Sequence, residues 1–151
     1  MGRPFTFDRS WDFDLPPDEL WAVLARTDDY PRWWSWLDGF SADGLRVGGS
    51  ARFSVRPPLP YLLHVTVDVD EVVEPTFVAV TIGGDVHGPA RLEVRPDGDG
   101  TRARLAWELE LQRPMLVALE RVARPAMVWG HDTVVGLGIR QFRRRALPPE
   151  R

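Results

Sequence analysis

Cysteine is absent from this chain, and disulfides, thiolate nucleophiles and cysteine-ligated metals are excluded with it. Lysine and asparagine are missing too, so all 19 basic residues are arginine. Alanine, glycine, proline, aspartate and valine abound in the same chain, which marks the arginines as a compositional bias and not as a nucleic-acid footprint. The net charge of -3 also points away from a polyanionic partner. No apolar run approaches the roughly 20 residues of a membrane span. The N-terminal Met1-Gly2-Arg3-Pro4-Phe5 lacks the apolar core of a secretory signal, so a cytoplasmic location is expected. There is no serine elbow, phosphate-cradling loop or dinucleotide fingerprint: Gly48-Gly49 and Gly83-Gly84 are hairpin signals without the helix that those motifs need. No cofactor is therefore expected. His64, His87 and His131 are too far apart to form a local ligand pair, and no metal is expected either.

What remains is an ordinary globular composition, 44% hydrophobic and 27% charged, in one expected domain over residues 1–151. In segment 5–15 the odd positions are Phe5, Phe7, Arg9, Trp11, Phe13 and Leu15, while all the even ones are polar; period two predicts a half-buried strand. Pro16 and Pro17 end it and open a helix with Asp18 and Glu19 in the first turn, where the helix dipole favours carboxylates. After a break at Thr27-Asp28-Asp29, a second helical turn is expected to hold Trp33, Trp34, Trp36 and Leu37.

Turn signals at Gly48-Gly49, Pro57-Pro58-Leu59-Pro60, Gly83-Gly84-Asp85 and Asp97-Gly98-Asp99-Gly100 separate strands expected at 51–55, 62–73, 77–82, 86–94 and 101–111. With a short strand near 45–47 and the first one, about seven antiparallel strands result. The last has Ala103, Leu105, Trp107, Leu109 and Leu111 on one face and Arg102, Arg104, Glu108 and Glu110 on the other, so one side of the sheet meets water. From Pro114 onward, Leu116, Leu119, Ala123, Met127, Val134, Gly138 and Phe142 recur at helical spacing. The predicted helix over 115–145 would reach roughly 45 Å at 1.5 Å per residue, with a kink at Pro125. Gly130, Gly136 and Gly138 each lower its propensity by about 1 kcal/mol relative to alanine, which close packing or space for a guest would rationalise. The Arg143-Arg144-Arg145 run reads as a solvated, dipole-favoured last turn.

Leu15-Pro16-Pro17-Asp18-Glu19-Leu20-Trp21, Asp29-Tyr30-Pro31-Arg32-Trp33-Trp34, Val47-Gly48-Gly49-Ser50, Gly84-Asp85-Val86-His87-Gly88, Gly100-Thr101-Arg102 and Trp129-Gly130-His131 follow one another in a telling order. On these marks the chain resembles the polyketide cyclase/dehydratase branch of the START-related, birch-pollen-allergen-like superfamily. That resemblance implies an α+β helix-grip fold, with a curved antiparallel sheet around a long C-terminal helix and two short helices after the first strand. It also implies an apolar cavity between sheet and helix, lined by tryptophans and a few polar groups. The marks carry architecture and not activity, since one fold hosts many functions.

Polar residues on inward faces then become the candidates. Arg9 shares a face with Phe7 and Trp11 and would orient a ligand carbonyl or carboxylate; the alternative is that it lies near the sheet edge and snorkels outward. His131 falls near the inner stripe of the last helix, as a general base or as a hydrogen-bonded core residue. Asp132 is expected to point elsewhere, since helix neighbours do not share a face. His64 and His87 are expected at the surface or rim. Trp33, Trp34, Phe53, Trp107 and Trp129 read as core, with one or two at the cavity. The expected ligand-binding set is Arg9, Trp11, Trp34, Phe53, Trp107, Met127 and His131, and the catalytic candidates are His131 and Arg9. Three functions follow: carriage of a small hydrophobic or aromatic ligand, a cyclase-like enzyme in which His131 abstracts a proton while Arg9 polarises an enolate oxygen, or a noncatalytic interaction module. A homodimer is left open; no nucleic acid is expected as a partner.

Overall fold

The computed structural model describes residues 4–56 and 62–147. Seven strands form one antiparallel sheet: β1 (Phe5–Phe13), β2 (Leu37–Ala42), β3 (Ser50–Val55), β4 (Leu63–Val73), β5 (Phe77–Gly84), β6 (Val86–Asp97) and β7 (Gly100–Leu111). Their spatial order, β1-β7-β6-β5-β4-β3-β2, makes β1 and β2 the free edges. Between β1 and β2 come α1 (Pro17–Leu24), a 3-10 turn (Thr27–Asp29) and α2 (Tyr30–Trp33), and α3 (Pro114–Arg145) follows β7. This is the α+β helix-grip arrangement, with the curved sheet wrapped on α3. The turn expected at Pro57-Pro58-Leu59-Pro60 lies outside the described residues. Among the described residues no helix is long and apolar enough to cross a membrane.

Local chemistry accounts for most boundaries. Pro17 stands in the first turn of α1 beside Asp18 and Glu19. Strand β1 stops at Phe13, two residues short of expectation, because the chain must turn into Pro16; Leu15 is nevertheless buried, and its carbonyl accepts the Thr101 hydroxyl at 2.7 Å. The helical turn expected to reach Leu37 ends earlier. Trp34, its C-cap, is already extended (φ -120°, ψ 99°), and Leu37 opens β2 by pairing with Val55. The strand expected near 45–47 is instead bend and turn, since Gly44 and Gly48 on either side adopt positive φ of 101° and 81°. The seventh strand is therefore β2. Register shifts in the β4–β5 pairing between Val69 and Glu71, so that Val65 and Val69 are buried before the irregularity while Val72 packs on the core after it.

Inside α3, the Pro125 ring excludes the carbonyl four residues back, and helical geometry fails at Ala123 (φ -128°, ψ 29°). The C-terminal arginines do more than face water. Arg143 donates to the Asp12 carbonyl at 2.7 Å and lies over the Phe13 ring at 4.5 Å, while Arg145 donates to the Trp33 carbonyl at 3.1 Å. They fasten the helix end to β1 and α2.

One end of the interior is solid. Leu20, Trp21, Val23, Trp33, Val94 and Phe142 pack there, with Trp33 and Phe142 edge to face at 5.5 Å. Tyr30 completes that end: its hydroxyl donates to the Leu24 carbonyl at 2.6 Å, satisfying the last turn of α1, and burial pushes its phenol above the ordinary range. The solvent face of the sheet carries ion pairs, as the alternation in β7 predicts. Arg104 holds Asp8 (2.5 Å) and Glu93 (3.5 Å), and Arg102 holds Asp12 (3.2 Å).

Candidate functional site

Beyond the packed end, sheet and helix separate around a cavity of about 470 Å³. At roughly 30 Å³ per water, that is room for some sixteen water molecules, within the range of small-molecule sites. Its wall comes from every layer: Phe5 and Trp11 of β1, Leu20 and Leu24 of α1, Trp34 and Trp36 after α2, Phe53 of β3, Leu63 of β4, Leu105, Trp107 and Leu109 of β7, and Met127, Val135 and Ile139 of α3. The β7 face follows directly from the period-two pattern. Among the described residues, His131 is the one ionisable side chain on this wall.

That histidine is spoken for at both nitrogens. The Trp107 indole N-H donates to His131 Nε2 at 3.1 Å, and because an indole can only donate, Nε2 must carry the lone pair. The proton then sits on Nδ1, which donates to Asp132 Oδ1 at 3.1 Å. Asp132 therefore does not point elsewhere: adjacent helix residues have different faces, but its half-exposed carboxylate folds back over its neighbour. Phe7 adds an edge contact to the imidazole at 5.7 Å.

Tryptophan and glycine shape the other side. Gly138 lets the two indoles reach the helix backbone: a β-carbon there would lie 3.3 Å from Trp36 Cζ2 and 3.8 Å from Trp34 Nε1. Trp34 Nε1 donates to the Gly138 carbonyl at 2.8 Å. The Trp36 indole nitrogen is buried with no partner. It is the uncommitted donor among the cavity-lining indoles for which the structure gives a hydrogen-bond state.

Six of the seven expected ligand-binding residues line this cavity: Trp11, Trp34, Phe53, Trp107, Met127 and His131. Arg9 does not. Its parity is inward, but β1 is an edge strand, so the exposed side chain passes the rim of the sheet and its guanidinium rests 5.8 Å from the Phe7 ring centre. Trp129 is a second correction, being 56% exposed on the outer side of α3 and not core. His64 and His87 are exposed, as expected. Sequence reasoning missed Trp36, for which the cluster Trp33-Trp34-Ser35-Trp36 was the available signal, and Ile139, which lies one turn after Val135. Among the described residues no cluster of three histidine, aspartate or glutamate side chains could hold a metal ion.

The model of the family described as "Polyketide cyclase / dehydrase and lipid transport" matches residues 4–146. The chain belongs to this family. Solved structures agree on the fold of the polyketide cyclase/dehydrase relative. A START superfamily protein from Mycobacterium smegmatis superposes with a TM-score of 0.70 at 14% identity, covering 93% of this chain and 96% of that one. A conserved protein from Geobacillus kaustophilus gives 0.71 at 9% identity, covering 94% and 95%. CalU16 from Micromonospora echinospora gives 0.58 at 19% identity, covering 98% and 79%. None of the curated proteins matches the chain. At these identities the likeness to solved structures carries the fold of this family member and not its activity.

Proposed function

We propose that the chain binds and carries a small, uncharged hydrophobic or aromatic molecule in the cavity between the sheet and α3. One observation carries this reading: among the described residues the wall is almost entirely apolar, and its single ionisable side chain, His131, has both nitrogens engaged. A charged guest would lose its hydration there without finding a partner. An apolar guest gains about 2.5 kcal/mol for each 100 Å² of apolar surface it buries, before the costs of immobilisation. The unpaired Trp36 N-H offers one place for a carbonyl or ether oxygen, within a small side-chain adjustment.

The family's description names both cyclase and lipid-transport members, and the cavity favours the second kind of role. Cyclase-like chemistry requires His131 and Arg9 to converge on one ketone group of the ligand, His131 at the adjacent C-H and Arg9 at the oxygen, but Arg9 stands outside the cavity and His131 Nε2 is already an acceptor. An interaction module with a filled interior is disfavoured by the hollow itself.

Native mass spectrometry of the purified chain, followed by extraction and titration with the neutral probe N-phenyl-1-naphthylamine, tests the proposal. One class of uncharged hydrophobic compound should be recovered, and Leu105→Trp, which extends into the hollow, should abolish probe binding while far-UV circular dichroism stays unchanged. Probe binding that survives a folded Leu105→Trp variant, or no binding by the parent chain across a chemically broad panel, would overturn it.

A further inference from the structure

The outer side of α3 carries three of the five exposed large hydrophobic side chains among the described residues, the others being Val47 and Val73. Val122 is 86% exposed and Trp129 56%, with Val128 at 36%. Ala118, Arg121, Val122, Pro125, Ala126, Trp129 and Asp132 are all exposed, at spacings of three and four that keep one continuous face across the kink at Ala123. Surface valines scattered singly need no explanation, but an aligned set ending in a solvated tryptophan does.

We propose that two copies of the chain pair antiparallel through this face of α3, around a twofold axis beside Pro125 and Ala126. The order of residues is self-complementary about that point. Val122 lies three positions before Pro125, and Trp129 three positions after Ala126, so twofold rotation sets each copy's Val122 against the Trp129 of the other. Small side chains then occupy the crossing, where backbones come closest. The two charges on the face obey the same symmetry. Arg121 and Asp132 project from the same flank at opposite ends, and a twofold perpendicular to both helices keeps the flank while reversing the direction, which brings Arg121 within a turn of Asp132 of the second copy. Among the described residues Arg121 has no ion pair within its own chain, and Asp132 uses one carboxylate oxygen on His131. A single helix pair buries less than the roughly 800 Å² per partner of a standard interface, so the dimer should be of roughly micromolar affinity. The pairing does not depend on what the cavity holds, and failure of one proposal leaves the other standing.

Sedimentation velocity over a concentration series of the full chain is the test. The parent chain should shift from monomer to dimer with concentration. Trp129→Ser should stay monomeric with an unchanged circular dichroism spectrum, Arg121→Asp should weaken association about tenfold or more, and the double reversal Arg121→Asp with Asp132→Arg should restore it. Since the chain has no cysteine, orientation can be read by cross-linking. Ala126→Cys should form a disulfide-linked dimer on mild oxidation, whereas Ala118→Cys should not, because its two copies would stand roughly 20 Å apart. A chain that remains monomeric across the series would overturn the proposal. So would a dimer indifferent to Trp129→Ser, equal cross-linking at both cysteines, or a monomer that co-sediments with anionic phospholipid vesicles through the same face.

Discussion

Trp107 and His131 are joined by a single hydrogen bond of 3.1 Å, and the indole's inability to accept assigns the histidine's proton to the nitrogen that faces Asp132. The imidazole therefore acts as a fixed acceptor that holds a cavity-wall tryptophan in place. Replacing it with leucine should leave the Trp107 N-H without a partner and lower stability by about 1–3 kcal/mol, read as a fall in denaturation midpoint. Affinity for a neutral apolar probe should stay within about threefold of the parent, since the wall remains apolar. A His131→Leu variant of unchanged stability would show that the bond does not operate in solution.

Gly138 is where the helix makes room for two indoles. Valine there would bring a β-carbon to 3.3 Å from Trp36 and two methyl groups beyond it, displacing Trp36 and stretching the Trp34 bond to the Gly138 carbonyl. Probe affinity should fall at least about tenfold, about 1.4 kcal/mol, and fluorescence quenching by acrylamide should rise as the indoles are pushed toward solvent. Probe affinity equal to that of the parent would contradict this packing.

Gly88 meets the neighbouring strand more closely still. Its φ of +155° is one that side chains rarely adopt, and a β-carbon would overlap the Glu108 carbonyl oxygen at 1.9 Å. Gly88→Ala should cost roughly 2–4 kcal/mol in chemical denaturation, because either β6 or β7 must move.

On the solvent face, the hydrogen bond from Arg104 holds the Asp8 carboxyl below the ordinary aspartate range. A carboxyl lowered in the folded state stabilises the fold above its unfolded value of about 3.9, and that contribution disappears as pH falls through the lower folded value. Asp8→Asn should therefore be less stable than the parent at pH 7, and the difference should narrow as pH falls below the unfolded value. The difference should also shrink in high salt, because the pair is exposed.

Much of this molecule was legible because its elements repeat simple periods. Alternation in β1 and β7 and the helical spacing from Leu116 to Phe142 led to the correct sheet faces and to four of the cavity residues, Trp11, Trp107, Met127 and His131. The failures were of another kind. Parity placed Arg9 inward but could not reveal that β1 is an edge strand, which depends on the pairing order of all seven strands. Leu37 follows a tryptophan cluster that suggests continued helix, but only Trp33 of that cluster is helical, and the pairing of Leu37 with Val55 is a tertiary fact. Trp129 looks like core on composition alone, but it stands two residues from both Met127 and His131, which puts it on the opposite side of α3. Asp132 broke the rule that helix neighbours diverge because a short carboxylate can bend back over an imidazole at its own level.

The position of Arg9 has a consequence for solubility. A sheet with two unpaired rims invites strands from other molecules to add on, and uninterrupted addition is how fibrils begin. At one of those rims, Arg9 sets a hydrated positive charge where an incoming strand would have to lie flat, so a residue without a seat in the cavity helps keep the proteins apart in a crowded solution.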